Sequence, residues 1–74
     1  MEEVIRAIDC AISHYIADKK ITRDQMAELL GMSANTLRWK REGKNEWLLS
    51  EVLKLSDLMG VSLDELTEFK VFAV

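Results

Sequence analysis

Arg38, Lys40, Arg41 and Lys44 lie close together in a chain of 74 residues, and Lys19, Lys20 and Arg23 precede them at short range. Seven of the ten cations thus fall between residues 19 and 45, opposed there by Asp24, Glu28 and Glu42, for a net charge of +4. The flanks are acidic. Residues 1–18 carry −3 and residues 46–74 carry −4, so the whole chain is at −3. Clustered guanidinium and ammonium groups can hold phosphate oxygens, and a basic face on an acidic body can bind a polyanion, with weaker long-range attraction. Taken alone, the same run is also what an ordinary solvated surface looks like. Other chemistry is poorly supplied. Cys10 and His14 are the single cysteine and histidine, so an internal disulfide is excluded and a structural zinc site is not expected. No nucleophile stands beside a base, no glycine-rich phosphate loop is present, and Asp64-Glu65 reads as a helix cap. An enzyme, a metal, a cofactor or a small-molecule ligand is not expected.

The elements that must carry these cations are short helices. Val4, Ile5, Ile8, Ala11, Ile12, Tyr15 and Ile16 recur at three- and four-residue spacing, which predicts an amphipathic helix over about residues 2–18. Thr22-Arg23-Asp24-Gln25 is a capping box and opens a short helix that Gly31 ends. Ser33 is a natural N-cap for a third helix running through Arg41 and stopping near Gly43. Leu37 and Trp39 are its only large apolar residues, so most of its side chains are left for solvent or a partner. Leu49, Val52, Leu53, Ser56 and Met59 define a fourth helix ending at Gly60, and Ser62-Leu63-Asp64-Glu65 caps a short fifth through Leu66. The fold class expected is all-α: five helices in one domain over residues 1–74 that ends in an apolar tail, residues 69–74.

The stretch 23–42 has a physical logic of its own. It joins a short helix, a tight turn at Gly31 and a second short helix poor in core residues. Ala27 is small where crossing helices approach, and Met26, Leu30, Met32 and Leu37 can press on one core. That is the pattern of a helix-turn-helix, whose second helix enters a DNA major groove.

From Ile21 to Leu66, without a gap, the chain resembles the lambda-repressor-like helix-turn-helix domains of phage repressors, Cro-type proteins and many bacterial regulators and antitoxins. Its landmarks are Ile21-Thr22, Ala27, Leu30-Gly31-Met32-Ser33, Thr36-Leu37, Gly43-Lys44, Leu53-Lys54-Leu55 and Gly60 to Leu66. Three positions depart from the family's usual pattern. Arg23 stands for glutamine, Trp47 for a frequent proline, and Lys40 for an apolar residue. Lys40 can cover the core with its stem while the ammonium reaches water or phosphate; alternatively the helix is rotated so that Trp39 packs. The resemblance implies base reading by Ser33, Ala34, Asn35, Thr36, Arg38 and Trp39. Asn35 suits adenine, Arg38 suits guanine, and Ala34 and the Thr36 methyl suit a thymine methyl. It implies phosphate contacts from Arg23, Lys40, Arg41, Lys44 and Asn45.

Phe69, Val71, Phe72 and Val74 make a costly patch if exposed. Either the tail folds back on the first helix, or, with Trp47, it covers a two-fold contact; the homodimer is the favoured expectation. No run approaches the roughly 18 apolar residues of a membrane span, and the acidic opening Met1-Glu2-Glu3 does not read as a targeting peptide. A cytoplasmic protein is expected, with double-stranded DNA as its partner and no membrane. The length suits a reading head and a dimer contact, with no sensor or catalytic domain. The expected function is a sequence-specific regulator, a phage or prophage Cro-like repressor on a palindromic operator. The rival is a protein-interaction module of the same fold, an antirepressor or antitoxin-like partner.

Overall fold

The computed structural model describes residues 2–67. In chain order these form α1 (Glu2–Lys19), α2 (Arg23–Leu29), α3 (Ala34–Arg41), α4 (Leu49–Met59) and α5 (Leu63–Thr67), with no strand among the described residues. All five helices lie where periodicity and capping predict them. The tail, residues 69–74, lies outside the described residues.

The N-terminal caps form as the sequence requires. Gln25 N–H donates to Thr22 Oγ1 at 3.1 Å, and Thr22 N–H donates to Gln25 Oε1 at 2.8 Å. Ser33 Oγ accepts from Thr36 N–H, and Ser62 Oγ from Glu65 N–H, each at 3.1 Å. Each cap satisfies an amide that the first helical turn leaves without a partner. The first four helices end alike. A residue at positive φ follows the last turn, at Lys20, Gly31, Gly43 and Gly60. The next amide then reaches back five residues, as from Met32 to the Ala27 carbonyl at 3.0 Å. Gly31 makes the α2–α3 turn tight because it adopts this backbone without a Cβ penalty.

The buried residues form one core. Ile8, Ala11 and Ile12 of α1 meet Met26, Ala27 and Leu30 from α2 and its end, Leu37 of α3, Leu55 of α4 and Leu66 of α5. α1 is the spine: α3 and α5 pack against it, α2 packs on α3, and α4 on α5. Ala27, 1% exposed, is the small residue that lets α2 and α3 approach. No helix among the described residues is long and apolar enough to cross a membrane.

Candidate nucleic-acid interface

α3 gives the core little. Leu37 is 2% exposed and is its one large apolar anchor. Asn35 lies opposite Leu37, Arg38 and Ala34 lie on its flank, and all three are exposed, as is the Ser33 cap. Thr36 is half-buried, and its Oγ1 accepts from the Ser33 hydroxyl at 2.8 Å. Trp39 is 40% exposed, so α3 is not rolled to bury it. Lys40 is buried instead, but its ammonium is enclosed and paired with Glu51 rather than reaching water or phosphate.

Two cations expected to hold phosphates are instead committed inside the protein. Lys40 is 6% exposed. Its ammonium donates to Glu51 Oε1, which also accepts from Leu48 N–H at 2.8 Å, and it lies 5.8 Å from the Trp47 ring centroid. A charge this buried persists because it is paired. Arg41 turns back to α1: Nε donates to Asp9 Oδ1 at 2.5 Å, and the guanidinium donates to Ser13 Oγ at 2.7 Å. Trp47, expected at a subunit contact, packs partly buried against the core of its own chain. The other expected phosphate holders are surface groups. Arg23, Lys44 and Asn45 are exposed, and Lys44 lies 3.2 Å from Glu42.

Arg23, at the start of α2, faces α3 across an open groove of about 390 Å³ whose walls include Ala34, Asn35, Arg38 and Arg41. Neither Arg23 nor Arg38 forms an ion pair with a described residue. The groove also carries Asp9, Asp24 and Glu42, which balance its three arginines; with Arg41 tied to Asp9, the guanidinium groups left for a ligand are those of Arg23 and Arg38. An exposed helix with a bidentate amide and a bidentate guanidinium one turn apart has the hydrogen-bonding capacity for base edges, and Arg23 is placed to hold the adjoining backbone.

The model of the Cro/C1-type helix-turn-helix DNA-binding domain matches residues 11–71. The chain belongs to this family. In this Cro/C1-type domain the helix-turn-helix is α2, the Gly31 turn and α3, and DNA binding is its activity. No curated protein and no solved structure matches the chain significantly.

The reading of the sequence missed the partners of the internal cations. Glu51 left a signal, since it stands three residues after the residue preceding α4, the spacing of a capping carboxylate. Asp9 and Ser13 share one side of α1 at i, i+4 spacing beside the apolar stripe. No pattern within α1 shows that an arginine 32 positions away meets Asp9.

Proposed function

We propose that this Cro/C1-type domain is a sequence-specific transcriptional regulator, a Cro-like repressor of phage or prophage type acting as a homodimer on a palindromic operator. α3 lies in the major groove. Asn35 and Arg38 read base edges there, helped by Ser33, Ala34, Thr36 and Trp39, while Arg23, Lys44 and Asn45 hold phosphates. The observation that carries this reading is the outward face of α3: Ala34, Asn35, Arg38 and Trp39 all stand exposed on a helix anchored by one leucine. Two-fold symmetry sets two such helices about 34 Å apart, one turn of DNA. The tail residues Phe69, Val71, Phe72 and Val74 supply the subunit contact.

Selection from random duplexes, followed by anisotropy titration of the winner at low and high salt, tests the reading. Enrichment of a two-fold sequence supports it; no binding to any duplex at low salt rejects it. Sedimentation of a chain lacking residues 69–74 tests the dimer contact, which fails if the oligomeric state does not change.

One observation favours a second reading, a protein-interaction module. Leu48, Leu49 and Leu53 are 58%, 71% and 47% exposed. They make an apolar patch at the start of α4, where a partner protein would bind by burying it. Capture of a protein partner by a chain that binds no duplex, lost on Leu49→Ser, favours that reading.

A further inference from the structure

An eight-residue helix anchored by one leucine has little to stop it rolling about its own axis. On either side of Leu37, the inner side of α3 is completed by charge. Arg41 is tied to Asp9 and Ser13 of α1, and Lys40 to Glu51 of α4. The ties pull toward two different elements, so together they oppose rotation in both senses. A roll of α3 swings the Asn35 and Arg38 side chains along the base edges, whereas a phosphate-holding group only fixes register.

We propose that Asp9, Ser13 and Arg41 are positioning residues for base reading: the α1–α3 tie sets the roll of the recognition helix and so determines which bases are read. This rests on α3 being the reading helix. Asp9 separates the proposal from simple electrostatics. It is an acid on the wall of the Arg23–Arg38 groove, so removing its charge makes that surface more positive. Charge alone then predicts tighter binding to every duplex. Loss of positioning predicts poorer discrimination with no loss of binding to random DNA. The Lys40–Glu51 tie is a less clean probe, since Glu51 also caps α4.

The experiment compares the full chain with Asp9→Asn, Ser13→Ala, Arg41→Met and the Asp9→Asn/Arg41→Met double variant. It reads the ratio of affinities for the selected duplex and a random duplex, and the salt slope on the random duplex. The ratio is expected to fall about tenfold in Asp9→Asn and in Arg41→Met, the size of one lost bidentate base contact. The double variant falls no further, because both changes break one unit. Random-duplex affinity holds or rises in Asp9→Asn. An unchanged ratio in Asp9→Asn, or an Arg41→Met that weakens both duplexes equally with a shallower salt slope, overturns the proposal and leaves DNA reading by α3 intact. A parent chain with no preference among duplexes overturns both. Should Asp9→Asn melt too low to study, Ser13→Ala decides. It removes only the 2.7 Å hydrogen bond, and an unchanged ratio there also overturns the proposal.

Discussion

At the scale of single residues, the exposed cations divide by what they can distinguish. A guanidinium on a base edge discriminates, while an ammonium on a phosphate does not. Arg38→Ala is therefore expected to cost about 1–3 kcal/mol on the preferred duplex and much less on random DNA. Lys44→Ala weakens both alike. Parallel anisotropy titrations check this, and equal losses for Arg38→Ala on both duplexes would reassign that residue to the backbone. Lys20 raises a different residue-scale question. It holds φ at +56° after α1, a backbone that strains a side chain with a Cβ. Lys20→Gly relieves the strain but gives the unfolded chain more freedom to lose. The first effect, about 1 kcal/mol or slightly more by the cost of the left-handed region, wins narrowly. A small rise in melting temperature is expected, and a fall would show that the entropy of the unfolded chain dominates.

At the scale of elements, α3 and α4 are joined by a buried ion pair whose partners are not equivalent. Glu51→Ala leaves the Lys40 ammonium buried without a counter-charge and removes the acceptor for Leu48 N–H. A loss of about 3 kcal/mol or more is expected. Lys40→Met leaves Glu51 still accepting from Leu48, with part of its carboxylate in water, and fills the space with an apolar stem. It should cost far less than Glu51→Ala, or stabilise. Urea unfolding of both variants checks the order, and a Lys40→Met that is the worse of the two would contradict it. This asymmetry also shows what the sequence discloses. Helix positions were legible because Thr22, Ser33 and Ser62 caps, the glycines and the apolar spacing all give local signals. Part of the outward side of α3 was legible for the same reason, since Asn35 lies opposite Leu37. The fates of Lys40 and Arg41 were not. They depend on Glu51 and Asp9, which only the packing of α3 between α1 and α4 brings near.

At the scale of the whole molecule, the internal pairs alter how binding should respond to salt. Counted from the sequence, four cations per subunit were available for phosphates: Arg23, Lys40, Arg41 and Lys44. The structure leaves Arg23 and Lys44 on the surface. For a dimer this means about four released counter-ions rather than eight, hence a slope of log affinity against log salt near −4 rather than near −7. Titrations between low and moderate salt measure it, and a slope near −7 would mean that Lys40 and Arg41 leave their carboxylates when DNA binds. The sequence average of −3 thus conceals two levels of organisation, a basic segment and, within it, cations already spent on holding the segment in place.

The two tryptophans occupy opposite situations, Trp39 exposed on α3 and Trp47 half-buried under the Lys40 ammonium with its indole Nε1 enclosed. The chain therefore carries two intrinsic fluorophores with separate duties. Emission from Trp39 is open to a water-soluble quencher and shielded when a ligand covers α3, while emission from Trp47 follows the junction of α3 with α4. Occupancy and integrity of the reading head can thus be followed optically in the unlabelled protein, with Trp39→Phe and Trp47→Phe assigning each signal.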